Sequence, residues 1–154
     1  MNYYEQNETM DNSNLEKFNK YINWFTKMER QGHFSRIDWL CVDTKNRNCS
    51  VELKTRFVDI NKFDTIFIEP DKYQCMVDKY NNEGYIPLYI NFMQDAEHVA
   101  VFDLRKFNKN NTETISKIIL DKGDNQVKKV DRMLLPVRQC SYYEFENNKY
   151  IKRW

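Results

Sequence analysis

The stretch Arg36-Ile-Asp-Trp-Leu-Cys-Val-Asp43, continued through Thr44-Lys-Asn-Arg-Asn48 and Cys49 into Ser50-Val-Glu-Leu-Lys-Thr-Arg-Phe57, decides how this chain is read. Both flanks alternate with the two-residue period of half-buried strands. In the first, Ile37, Trp39 and Cys41 share a face and Asp38 lies opposite. In the second, Val51, Leu53, Thr55 and Phe57 share one face, and Glu52, Lys54 and Arg56 the other. The polar link is a hairpin turn. If it closes with Asp43 against Arg47, Cys41 faces Cys49, Trp39 faces Val51, Ile37 faces Leu53 and Asp38 faces Glu52. A slip by one residue would oppose apolar and charged side chains, so the register is strongly specified.

Directly opposed residues have Cβ atoms roughly 4.5–5.5 Å apart, and like charges so placed destabilise the pair. Asp38 and Glu52 therefore need something between them. A divalent ion such as Mg²⁺, held by one or two carboxylates, removes the repulsion. The competing reading is an open, solvated sheet face on which Lys54 and Arg56 neutralise the acids.

Asp38, followed by Glu52-Leu53-Lys54, resembles the core motif of the PD-(D/E)XK nuclease superfamily, which includes restriction endonucleases and Holliday junction resolvases. The residue before the first acid is Ile37, where the family pattern has proline. The resemblance implies an α/β (α+β) fold with a restriction-endonuclease-like core, a central mixed sheet flanked by helices. It implies Asp38 and Glu52 as ligands of Mg²⁺ (or Mn²⁺), with the Leu53 carbonyl completing the protein's share. Lys54 would position the attacking water. A further acid from the preceding helix is carried onto Glu16, and a Gln or basic residue of the second helix onto Gln74 and Lys72. Arg56, two residues beyond Lys54 on the same face, is a candidate phosphate contact. The expected activity is metal-dependent phosphodiester hydrolysis with nucleic acid, DNA first, as partner, and with a homodimer if both strands are cut. The alternative is a catalytically inactive protein of the same fold, acting as a nucleic-acid-binding or assembly component.

The remaining sequence is consistent with one domain over residues 1–154, its core at about 14–104 and an extension at 105–154. Hydrophobic residues make up 41% of the 154-residue chain, enough for a folded core. With 24 Lys and Arg against 23 Asp and Glu, the chain is not a non-specific coat for nucleic acid. The four cysteines show no C-x-x-C spacing, which argues against zinc. Cys41 and Cys49 oppose each other and are read as buried thiols rather than a disulfide. No apolar run is long enough to span a bilayer, and Met1-Asn-Tyr-Tyr-Glu-Gln-Asn7 lacks the features of a signal peptide, so a soluble cytoplasmic protein is expected. The bias toward Asn, Lys, Ile and Tyr suggests an AT-rich genome, such as that of a phage or a low-GC bacterium.

Along the chain, residues 1–13 read as a loose arm. Leu15, Phe18, Ile22, Phe25 and Met28 predict a helix from Ser13 or Asn14 to about Arg30, ended by Gly32. His33 reads as an incidental loop residue. Residues 58–64 form a loop, and 65–68 a short strand. Glu69-Pro70-Asp71 opens a helix whose buried stripe is Tyr73, Met76, Val77 and Tyr80, and Gly84 stops it. Residues 85–93 predict a central strand with Pro87 near its start. Gln94-Asp95-Ala96-Glu97 is a turn, and 98–104 the next strand. Residues 112–120 fit a helix or a strand equally, 121–125 a turn, and 133–137 a strand or buried segment. The tail, 147–154, mixes basic and aromatic residues that fray or stack on nucleic acid.

Overall fold

The computed structural model describes residues 3–93 and 96–154, so Gln94 and Asp95 of the expected turn lie outside the described residues. Among the described residues the fold is α/β, with a large, curled mixed sheet and two α-helices. In chain order the elements are α1 (Tyr3–Ile22), β1 (Phe25–Arg30), β2 (Trp39–Asp43), β3 (Asn48–Arg56), β4 (Thr65–Ile68), α2 (Pro70–Glu83), β5 (Ile86–Met93), β6 (His98–Asp103), β7 (Thr114–Leu120), β8 (Val127–Pro136), β9 (Ser141–Glu146) and β10 (Lys149–Lys152). The main sheet has strand order β1-β2-β3-β5-β6-β9-β10, and a second sheet has order β4-β8-β7. All pairings are antiparallel except β3 with β5, which α2 connects.

The hairpin that organises the reading forms in the expected register. Trp39 pairs with Val51 and Cys41 with Cys49. The Asp43 amide donates to the Arg47 carbonyl at 2.9 Å, closing the turn. Asn46 takes the left-handed conformation the turn needs, at φ 60°. The Asp43 carboxylate, 4% exposed, accepts from the Lys45 and Arg47 amides and from Arg47 Nε, which pins the tip from within. Cys41 and Cys49 are both buried free thiols, and burial pushes Cys41 up to about 12.

One expectation fails at the N-terminal side. The helix spans Tyr3–Ile22, not 13–30, and residues 25–30 form the edge strand β1. Asn23 ends the helix at φ 52°, its amide bonded to the Asn19 carbonyl at 2.8 Å. Asn19 then clamps the exit: its Oδ1 accepts from the Trp24 and Phe25 amides, and its Nδ2 donates to the Phe25 carbonyl. Phe25 and Met28 continue the helical spacing by coincidence, because both face the same core from a strand. Met28 pairs with Cys41 across β2.

Two cores sandwich the main sheet. On one face, α1 buries Leu15 and Phe18 against Trp39, Val51, Leu53, Ile90 and Phe92. Phe18 sits among rings, with centroids of Tyr150 at 4.9 Å and Tyr143 at 5.8 Å. On the other face, Tyr73 and Met76 of α2 and Ile66, Ile68, Met133 and Leu135 of the small sheet cover Tyr89, Met93 and Phe102. Strand β5 is therefore central and buried along its whole length. Pro87 sits at its second position, where the missing donor costs least. Helix α2 begins and ends as expected, with Pro70 in the first turn and Gly84 at φ 77° after the last.

The C-terminal third is part of both sheets. Residues 114–120 are the strand β7, and β8 spans a longer segment than 133–137. The tail does not fray: β10 pairs with β9, and Trp154 stacks on Tyr142 at 4.1 Å between centroids. Among the described residues, no helix is long and apolar enough to cross a membrane.

Candidate functional site

The edge of β3 beyond the end of β2 opens into a cleft of about 290 Å³. It brings together Asp38, Glu52, Leu53, Lys54 and Lys72, with Glu8 and Asp11 of α1 on the opposite wall and Arg30 and His33 at the rim.

Asp38 lies just before β2 and is tied to β3 by both its backbone and its side chain. Its amide donates to the Val51 carbonyl at 3.1 Å, and its Oδ2 accepts from the Leu53 amide at 2.8 Å. The strand alternation breaks here. Ile37 packs into the α2-side core, whereas Trp39 and Cys41 face α1, so the three do not share a face as expected. The physical reason is that β2 starts only at Trp39 and the preceding backbone is no longer pleated. In a strand the N–H and C=O of one residue point to the same side, so the Leu53 carbonyl faces the edge on which Asp38 stands.

Glu52 is 3% exposed. Its Oε1 contacts Lys72 Nζ, and its Oε2 is buried without a hydrogen-bond partner. Burial pushes the Glu52 carboxyl up to about 8; the Asp38 charge acts the same way and Lys72 opposes it. Burial also raises Asp38, against the Leu53 amide and Lys72, which pull it down. Burial works against the Lys72 charge as well, but its contact with Glu52 prevails and holds the ammonium above its ordinary value. Two carboxyls whose charged forms burial disfavours, side by side with one cation, form a site short of positive charge. Lys54 is exposed at the cleft.

The other expected residues fall elsewhere. Glu16 is exposed on α1 and does not line the cleft. Gln74 bonds Asp78 at 2.7 Å on the outer face of α2. Arg56 is held away from the acids. Its Nε donates to Asn91 Oδ1 at 2.9 Å, and its Nη2 donates to the Phe67 carbonyl and the Tyr89 hydroxyl, both at 3.0 Å.

Residues 3–13 are not a loose arm but the first turns of α1, which wall the cleft. Asp11 Oδ1 accepts from the Thr55 hydroxyl at 2.5 Å, and burial raises its carboxyl. Glu8 pairs with Arg30 and, at 3.0 Å, with His33 Nδ1; hydrogen bonds from these two hold its carboxyl below the usual range. His33 sits in the turn after β1, as expected of a loop residue, and reaches the rim of the cleft through Glu8. The signal was present: Glu8, Asp11, Leu15 and Phe18 extend the helical stripe backward at three- and four-residue steps.

Among the described residues, no group of three or more His, Cys, Asp and Glu side chains is placed to hold a metal ion. The cleft instead offers two carboxylates and one backbone carbonyl. An all-oxygen donor set of this kind suits Mg²⁺ or Mn²⁺, with water filling the remaining positions. The partnerless Glu52 Oε2 is the atom that fits such an ion most directly. No protein-family model matches the chain, and no curated protein or solved structure matches it.

Proposed function

We propose that the protein is a Mg²⁺-dependent nuclease that hydrolyses phosphodiester bonds, acting on DNA, with a restriction-endonuclease-like core. The observation that carries this reading is the meeting of Asp38, Glu52, Leu53 and Lys54 at one cleft, with a buried Glu52 oxygen left unsatisfied. The run of elements also supports it: a helix, three antiparallel strands, and a second helix crossing to a strand parallel with the acid-bearing one.

Asp38, Glu52 and the Leu53 carbonyl would hold the ion. When bound, it relieves charge on the phosphate and acidifies a coordinated water. The chain's own residues do the rest. The Leu53 amide fixes the Asp38 carboxylate, so its free oxygen has one orientation. Lys54, exposed in the cleft, orients the attacking water and meets the charge that develops on the phosphate. Asp11 and Glu8 form the far wall, where Thr55 and the Arg30–His33 pair already occupy their carboxylates.

One observation favours the alternative, an inactive protein of this fold that binds nucleic acid or assembles with partners. Lys72 already sits on Glu52 and supplies part of the charge an ion would bring. The deciding experiment is cleavage of plasmid and linear DNA in Mg²⁺, in EDTA, and by Lys54→Ala. The nuclease reading expects cleavage in Mg²⁺ alone and none in the other two. Cleavage that persists in both controls, or no cleavage of any substrate in Mg²⁺ or Mn²⁺, would overturn it.

A further inference from the structure

Arg56 and Arg132 differ from most arginines of the chain. Arg30, Arg36, Arg47, Arg105 and Arg153 each meet a carboxylate. Among the described residues, no acid pairs with Arg56 or Arg132, and Arg56 donates only to neutral acceptors. Both guanidinium carbons lie over the ring of Phe67, at 4.3 and 3.8 Å from its centroid. The two cations are therefore no more than about 8 Å apart, each held against a negative face of the ring, and neither has a counter-ion among the described residues. An anion at the edge of the ring would offset both charges.

A groove of about 360 Å³ runs beside them, lined by Thr55, Arg56, Phe57, Phe63 and Phe67. Phe57 is 66% exposed and Phe63 46% exposed, so two aromatic rings face solvent next to the uncompensated charge. Arg56 is two residues from Lys54, about 7 Å along β3. A strand lying across the cleft reaches this groove within a short step.

We propose that Arg56 and Arg132 bind a backbone phosphate beside the cleft, and that Phe57 and Phe63 stack an unpaired base, so that the strand engaged here is single-stranded. The site rests on the nuclease reading of the cleft and adds to it the class of substrate. Base stacking on aromatic side chains tolerates any sequence, and guanidiniums recognise phosphate geometry. A duplex keeps its bases inside and offers these two rings nothing to stack.

The test is fluorescence anisotropy in EDTA with a labelled oligothymidylate of about fifteen nucleotides and a duplex of equal length. Arg132→Gln is expected to weaken single-strand binding about tenfold and to lower the salt slope by about 0.7, the loss of one phosphate contact. Phe57→Ala/Phe63→Ala, at exposed positions, is expected to weaken the single strand while leaving the duplex unchanged. Lys45→Gln removes an equal charge at the exposed hairpin tip, at the other end of β3 from the groove, and is expected to do neither. Equal losses for Arg132→Gln and Lys45→Gln, or equal losses on both substrates for the phenylalanine variant, would overturn the site. Metal-dependent cleavage with binding indifferent to Arg132 would overturn this site alone. Arg132-dependent single-strand binding without any cleavage would strike the nuclease reading and leave the site standing.

Discussion

Replacing Lys72 by methionine leaves the Glu52 carboxylate buried without its cation. The Glu52 side chain is 4% exposed, and that of Lys72 is 34% exposed. Removing one partner of a buried pair costs about 3–5 kcal/mol. Solvent reaches the Lys72 end and Glu52 is fully ionised only above about pH 9, so about 2 kcal/mol is the expected loss at about pH 9.5. The loss shrinks at acid pH, because the orphaned carboxyl takes up a proton. Burial raises Glu52 from 4.5 to about 8 in the folded protein. Between those values the folded state binds more protons than the unfolded one, so stability falls as pH rises across that window. Lys72→Met steepens the fall, and Glu52→Gln removes it. The assay is urea unfolding in EDTA at about pH 5.5 and about pH 9.5. Lys72→Met/Glu52→Gln, in which neither partner is charged, is expected within about 1 kcal/mol of the parent. A Lys72→Met cost below about 0.5 kcal/mol at about pH 9.5, or a double variant as unstable as the single, would refute the reasoning.

Four further outcomes follow from the same structure. Phe18→Ala, which empties the centre of the α1 core, is expected to cost about 3–5 kcal/mol in chemical denaturation. Asn23→Gly is expected to be neutral within about 0.5 kcal/mol, whereas Asn23→Val, forced to positive φ, loses about 1–2 kcal/mol in the same assay. Lys54→Ala is expected to leave unfolding unchanged within about 0.5 kcal/mol while lowering the cleavage rate at least about a hundredfold in single-turnover assays. Mg²⁺ affinity, followed by thermal shift, is expected to rise from about pH 6 to about pH 8, because the proton on Glu52 must leave before an ion binds.

The hairpin was legible because three local signals agreed: alternation on both flanks, a turn with Asn46 able to take positive φ, and a register that matched apolar faces. Helix α2 and strand β5 were legible for similar reasons, with Pro70 and Gly84 marking the helix ends and an unbroken apolar run marking the buried strand. The end of α1 was not legible, because Phe25 and Met28 preserve the helical spacing across the Asn23 break. The contact of Lys72 with Glu52 depends on how α2 crosses the sheet, which no local pattern encodes. Arg56 shows the same limit. Its place on the polar face of β3 is set by alternation, but its partners Phe67, Tyr89 and Asn91 come from β4 and β5. The small sheet joins β4 to β8 across more than sixty residues of sequence, so a short apolar run such as 114–120 carries no local sign of the partner that makes it a strand.

The central claim is that Asp38 and Glu52 converge to hold a divalent ion. The most direct measurement is the unfolding free energy of the parent and of Asp38→Asn as Mg²⁺ or Mn²⁺ is added near pH 8. An ion that binds only the folded protein stabilises it by about 2.7 kcal/mol at a hundred times its dissociation constant. The account predicts a saturable gain of that order in the parent and none in Asp38→Asn. No gain in the parent, or the same gain in both proteins, would contradict it.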